Sequence, residues 1–268
     1  MFIAFNYAPT DHFYNSTLNK YMTKGVSLYS EHEKSVQRCL SKFISPEGIV
    51  NGSELRENWF STENTDIFIS HSHKDINKVK AFAGWLYERF GLTSFVDSCA
   101  WGYCDELLNR IDKRYCYKKE NRTYDYNLRN YTTSHVHMML STALTETMNR
   151  SECIIFFNTP QSIVMSNELE LIGKKEHKKT TSPWILYELT MISRLNRIPP
   201  DRDSFHLEHS TYEVREKPTI QYDVSTILDK MPTIVDSDLK KWSENHIPNI
   251  HPLDELYGIK NVRLKRNV

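Results

Sequence analysis

Apolar residues along this chain gather in short blocks separated by longer amphipathic stretches, and the order of the two predicts an alternation of strands and helices. Ile67-Phe68-Ile69 is a compact run of strand-favouring residues that ends abruptly in Ser70-His71-Ser72-His73-Lys74-Asp75, as a buried strand does when it leaves a core. Val79, Phe82, Ala83, Leu86 and Phe90 then recur at the spacing of one helix face, closed by Gly91. Phe95-Val96 forms the middle of a second short strand that stops at Asp97. Strand, helix and strand in this order predict a right-handed parallel crossover.

The alternation continues. Ser98 to Tyr103 reads as a loop, and Leu107, Leu108 and Ile111 as part of a helix. Residues 116–132 are polar and tyrosine-rich without a period, which predicts an inserted loop; Met138, Met139, Ala143, Leu144 and Met148 resume helical spacing. Cys153-Ile154-Ile155-Phe156-Phe157 is the most apolar stretch and predicts a central strand buried on both faces. Residues 161–181 read as a polar loop, and Trp184, Leu186, Leu189, Ile192 and Leu195 as a helix stopped before Pro199-Pro200. Thr219 to Tyr222 suggests a fourth parallel strand, and Leu239 with Trp242 a later helix.

Residues 1–62 have a different texture, polar and aromatic-rich, and read as an N-terminal extension to a domain spanning 63–268. Within it Ser30 and Glu33 have capping-box spacing ahead of Val36, Cys39, Leu40 and Phe43, which predicts one short helix. Asn51-Gly52 marks a turn, and Trp59-Phe60 offers an anchor onto the main domain. The expected fold is α/β: an open parallel sheet with helices on both faces, in which ligands bind at the carboxyl ends of the strands.

Composition narrows the chemistry. Thirty-four basic residues balance thirty-four acidic ones, so no global charge attracts nucleic acid or an anionic membrane. No segment approaches the roughly 20 apolar residues of a membrane span, and the opening Met1 to Asn6 lacks a basic n-region, so a cytoplasmic location is expected. Five irregularly spaced cysteines do not predict a disulfide framework. With eight glycines and no Gly-x-Gly-x-x-Gly, P-loop or Gly-x-Ser-x-Gly, dinucleotide redox, nucleoside-triphosphatase and serine-hydrolase readings lose their main support. Cys99, Cys104, Cys116, His135 and His137 show no Cys-x-x-Cys pair, so no metal is expected.

Four segments, in order, carry a resemblance. Asp66-Ile67-Phe68-Ile69-Ser70-His71 resembles the opening strand motif of TIR (Toll/interleukin-1 receptor) domains, and Ser94-Phe95-Val96-Asp97 resembles their second strand, with Ser98 to Tyr103 where the family's BB loop lies. Ser151 to Phe157 resembles the third strand, and Ser182-Pro183-Trp184-Ile185-Leu186-Tyr187-Glu188-Leu189 the family's Ser-x-Trp…Glu-Leu signature. The matches cover about residues 63 to 195; the 116–132 insertion and the stretch before 63 depart from the core pattern.

The resemblance implies a flavodoxin-like fold and, for the enzymatic members, cleavage of the nicotinamide glycosidic bond of NAD with Glu188 as the catalytic carboxylate. NAD is then a substrate and no cofactor is implied. Nicotinamide leaves as a neutral molecule from a pyridinium, so no general acid is needed, and one carboxylate opposing the oxocarbenium-like charge suffices. Released products are ADP-ribose or a cyclic ADP-ribose-type signal for a downstream effector, in the manner of bacterial anti-phage systems similar to Thoeris. Ser70, His71, Ser72, Lys74, Asp97, Trp101, Ser182 and Trp184 become candidate substrate-binding residues, Trp101 near a neighbouring subunit's pocket in a homo-oligomer. Residues 1–62 are expected to regulate or stabilise.

Plainer roles stand beside these. Ser182 before Pro183 is also a helix N-cap, Asp97 a turn residue, and Lys174, Lys175, Lys178 and Lys179 a solvated loop as well as a steering patch. His135 and His137 read as structural residues near a helix start. Two other functions fit the pattern: a non-catalytic TIR interaction module, and a nucleoside deoxyribosyltransferase-like enzyme.

Overall fold

Five parallel strands organise the molecule, and the one at the centre is the stretch richest in apolar residues. The computed structural model describes residues 1–30, 54, 65–166, 177–198, 200 and 222–262. In chain order the elements used below are β1 (Ile3–Tyr7), β2 (Ile67–His71), α1 (Ile76–Phe90), β3 (Ser94–Val96), α2 (Asp97–Ile111), β4 (Tyr117–Lys118) and β5 (Thr123–Tyr124). There follow α3 (Tyr126–Arg150), β6 (Cys153–Phe157), β7 (Val164–Ser166), β8 (His177–Thr180), α4 (Pro183–Arg194), β9 (Tyr222–Asp223), β10 (Thr233–Ile234), α5 (Asp236–Glu244) and α6 (Pro252–Ile259).

The main sheet runs β10-β1-β6-β2-β3, every neighbouring pair parallel. β6 is buried at all five positions and is in register with β1 (Ile3↔Cys153 to Tyr7↔Phe157) and with β2 (Ile67↔Cys153 to His71↔Phe157). Its alternation sends Ile154 and Phe156 into one core and Cys153, Ile155 and Phe157 into the other. The first core is closed by α2, α3 and α4, the second by α1, α5 and α6, so both faces are covered as expected. Gly91 ends α1 in the left-handed region at φ 68°, where its N–H donates to the Tyr87 carbonyl. No helix among the described residues is long and apolar enough to cross a membrane.

The boundary drawn at residue 62 does not survive. Residues 3–7 form β1, inserted between β6 and β10, so the supposed extension supplies an inner strand of the sheet. Counted from β2, the sheet has the flavodoxin-type order 2-1-3-4-5, but its fourth strand comes from the start of the chain. The Tyr7 hydroxyl donates to Asp236 Oδ1 at 2.9 Å, which satisfies the polar end of an otherwise enclosed ring.

Residues 22–30 are helical and cross α1 at two glycines. A Cβ built on Gly84 would stand 2.4 Å from the Tyr21 carbonyl oxygen and 2.7 Å from the Gly25 nitrogen, both backbone atoms. Glycine to alanine inside a helix ordinarily stabilises by up to about 1 kcal/mol. Gly84→Ala is expected to do the reverse, destabilising by about 1–3 kcal/mol through overpacking. Thermal melts of the two proteins check the sign, and an unchanged or raised Tm would show that the crossing is not tight.

Three further expectations change. Ser98 to Tyr103 is not a loop: α2 starts at Asp97, whose carboxylate accepts the Ser98 N–H at 2.7 Å and so helps to open the helix. The 116–132 segment is a β4-β5 hairpin followed by the start of α3, capped by Asp125, which accepts the Leu128 N–H at 3.0 Å. Helical periodicity is hidden there because α3 leaves Tyr126 and Tyr131 exposed; His135 and His137 consequently lie inside the helix, not near its start. Residues 161–181 contain β7 and β8, which join β9 in a small antiparallel sheet. Tyr222 therefore belongs to that sheet, and β1 and β10 occupy the remaining parallel positions. The helix built on Val36 to Phe43, the Asn51-Gly52 turn, Trp59-Phe60, Lys174, Lys175 and Thr219 to Gln221 lie outside the described residues.

From β2 the chain crosses to β3 on one side, and the next sheet strand, β6, lies on the other. That reversal makes the carboxyl end of β2 the topological switch point, the place where open α/β sheets hold ligands.

Candidate functional site

α4 is built to deliver one carboxylate into the core. Ser182 Oγ accepts the Ile185 N–H at 3.3 Å, and Pro183 occupies the first helical position, so the helix begins cleanly. Ile185, Glu188, Leu189 and Ile192 then share the buried face, and Glu188 is the one charged group on that stripe. On β2, Ser70 follows Phe68 two positions later and points to the same face. The two elements meet through Ser70 Oγ, which donates to Glu188 Oε2 at 2.6 Å.

Glu188 has no solvent exposure, and its Oε1 has no hydrogen-bond donor. Burial pushes its carboxyl well above the ordinary range, the neighbouring Asp97 carboxylate pushes it further, and the Ser70 hydroxyl opposes both. Burial and the charge of Asp97 both disfavour the ionised form, so the protonated acid is the form that this environment favours.

Asp97 also anchors His71. His71 Nδ1 lies 2.6 Å from Asp97 Oδ1 and 3.2 Å from the Ile69 carbonyl, while Nε2 meets Ser98 Oγ at 2.7 Å. Burial alone would lower the His71 pKa; Asp97, the Ile69 carbonyl and the charge of Asp75 outweigh it, and the net shift is upward. Asp75, itself buried, accepts a hydrogen bond from Thr159 Oγ1 at 2.5 Å.

The Ser98–His71–Asp97 chain has the connectivity by which a histidine activates a hydroxyl. The upward shift of His71 favours the protonated ring, which donates from both nitrogens, and in that form it positions the Ser98 hydroxyl. His71 thus contributes stability that is fully present below its unfolded pKa and is lost as pH rises through the folded value. In Asp97→Asn the largest raising influence is gone, and His71 is expected to titrate at lower pH than in the parent protein. NMR titration of the imidazole C–H signals measures this directly; an unmoved midpoint would remove Asp97 as its cause.

The structure therefore brings together Ser70, His71, Asp97 and Glu188 of the sequence-predicted set. Ser182 acts as the N-cap of α4. Trp184 is half-buried, edge-on to His137 of α3 at 5.6 Å and to Tyr187 at 6.1 Å, so its documented contacts wall α4 against α3. Ser72 is half-buried and Lys74 exposed on the short turn after β2; no described hydrogen bond joins either to Glu188. Trp101 lies in α2, with its side chain outside the described residues. Lys178 and Lys179 are on β8, where Lys178 pairs with Asp229.

Ser98 and Asp75 are members that the sequence reading missed. Ser98 reads from sequence as a loop residue, although a hydroxyl directly after a strand-ending Asp is a helix-start signal. Cys104 and Cys116 are buried free thiols, and burial with Asp105 pushes Cys104 up to about 12, which makes it unreactive. No protein-family model matches the chain, and no curated protein and no solved structure matches it.

Proposed function

We propose that this chain is a TIR-type enzyme that cleaves the nicotinamide glycosidic bond of NAD, with Glu188 as its essential carboxylate. The observation that carries the reading is the state of Glu188: wholly buried at the switch point of a parallel sheet, held by Ser70 through one oxygen, its other oxygen without a donor. An acid so placed is expensive for a merely structural role. Of the segments that resemble the TIR motifs, the carboxyl ends of β2 and β3 and the buried face of α4 supply Ser70, His71, Asp97 and Glu188.

The chemistry follows from the charge balance. Burial and Asp97 favour the protonated acid in the empty site; a cationic nicotinamide riboside beside it favours the carboxylate, whose proton leaves to solvent, and the carboxylate then accepts ribose hydroxyl hydrogen bonds and opposes the developing oxocarbenium charge. Nicotinamide departs neutral. Water adding to the ribosyl cation yields ADP-ribose and releases a proton to solvent, and an adenine nitrogen adding to it yields a cyclic product. Because Glu188 is enclosed, ribose contact requires the side chains over it to move aside. Self-association, with Trp101 beside a neighbour's pocket, and a downstream effector in anti-phage defence belong to the same proposal.

That enclosure favours a second reading, a non-catalytic interaction module in which Glu188, Asp97 and His71 form a buried polar network. Incubation of the full chain with NAD, followed by chromatography of all products, separates the two. Nicotinamide release that rises with protein concentration is the expected result. No release at any concentration would sink the enzymatic reading, and turnover of free nucleosides would point to deoxyribosyltransferase-like chemistry.

A further inference from the structure

We propose that Asn6 and Asn158 form the subsite for the carboxamide of the nicotinamide ring, an inference that rests on the NAD-cleaving function proposed above. Asn6 lies in β1, in register with Phe156 of β6, and Phe156 pairs on its other side with Ser70 of β2. The three residues make one row across the sheet, which sets the Asn6 and Ser70 Cα atoms two strand spacings, about 10 Å, apart.

The row presents its side chains to one face. Ala4 and Phe68 lie in the core that α4 closes, and strand alternation sends Asn6 and Ser70, each two positions further on, to the same side. Asn158 follows Phe156 by two positions and continues that face past the end of β6, where its backbone N–H donates to the Tyr7 carbonyl at 2.7 Å. Asn6 is thus a polar residue from the start of the chain on the face and at the level of Ser70, the residue that holds Glu188.

The two side chains form an amide pair, with Asn158 Nδ2 donating to Asn6 Oδ1 at 3.0 Å. Among the described residues, nothing accepts from the Asn6 amide group and nothing donates to Asn158 Oδ1. Asn158 is half-buried, so the pair opens at the carboxyl edge of the sheet. Rotating both amides exchanges the bonded atoms and leaves the same complement, one donor group and one acceptor. A primary carboxamide supplies the matching acceptor and donor. In the proposed complex the pyridinium is bonded to the ribose carbon that Glu188 faces, so its carboxamide lies within a ring's width of that carbon, whereas the adenine lies beyond the diphosphate. Bonds to the leaving base exist in the ground state as well as the transition state, so their loss raises KM more than it lowers kcat.

The test is calorimetric binding to the full chain carrying Glu188→Gln, in which turnover does not consume the ligand. The ligands are NAD, its 3-acetylpyridine analogue, which keeps the carbonyl but lacks the amide N–H groups, and its hypoxanthine analogue. NAD should bind roughly three- to tenfold more tightly than the acetylpyridine form, the scale of one hydrogen bond. Adding Asn158→Ala should weaken NAD binding by a similar factor and abolish that preference. Adding Asn6→Leu, close in volume, should weaken both ligands. The preference between NAD and the hypoxanthine form should stay fixed. A purely structural role for the pair would lower Tm and leave every ratio unchanged. Unchanged ratios in whichever variant folds, a change confined to the hypoxanthine comparison, or no binding of NAD would each overturn the subsite. Nicotinamide release by the parent chain is read separately. Asparagine-dependent binding without release would sink the cleavage reading and keep the subsite; release with asparagine-independent binding would do the reverse.

Discussion

Deletion of residues 1–62 is expected to leave a chain that does not fold. β1 is hydrogen-bonded on both sides, over five residues to β6 and over its carboxyl end to β10. Removing it strips β6 of one partner strand and isolates β10 from the sheet. It also takes Phe2, Ile3, Phe5, Tyr7, Phe13 and Leu18 out of one core and Met1 and Ala4 out of the other. Each large side chain contributes about 1.5–3 kcal/mol by burial, and a domain has only about 5–15 kcal/mol in total. Circular dichroism and size-exclusion chromatography of a 63–268 chain should report an unfolded or aggregated species. A cooperative melt from that chain would mean that β1 is dispensable, as an appended segment would be.

On the proposed NAD-cleaving function, Glu188→Gln is expected to abolish turnover while making the protein more stable near neutral pH. Above the ordinary carboxylate range the unfolded chain has released the Glu188 proton, while the folded chain retains it because its pKa is raised. Folding then takes up a proton, so this group's contribution is greatest at low pH and falls as pH rises from the ordinary value toward the raised one. Glutamine keeps the volume and imitates the neutral acid at every pH. The variant should gain roughly 1–3 kcal/mol at neutral pH, the scale of a relieved buried polar group, and the gain should vanish below the ordinary glutamate range. Turnover should fall at least about a hundredfold, the usual effect of losing a preorganised electrostatic group. Stability gained where activity is lost is the signature of a site kept for function. A variant that melts lower at neutral pH, with activity intact, would make Glu188 a structural residue.

Local pattern determined much of this protein. Ile67 to Ile69, Phe95-Val96 and Cys153 to Phe157 announce strands because burial on both faces needs unbroken apolar runs, and Val79 to Phe90 and Ile185 to Ile192 announce helices because one buried face imposes its period. Ser70, His71, Asp97 and Glu188 were identifiable singly, at strand ends and on a helix whose cap and proline are local signals.

Other features exist only in three dimensions. Phe2 to Tyr7 is too short for its own pattern to say that it lies inside a sheet, and β10 is two residues long; each is a strand because of the neighbour it pairs with. α3 hides its period behind exposed tyrosines. The charge state of the site is likewise a tertiary property. A glutamate in sequence is an ordinary acid, and it becomes a proton-holding one because α4 seals it against β2, 118 positions from Ser70, with Asp97 brought beside it at the end of β3.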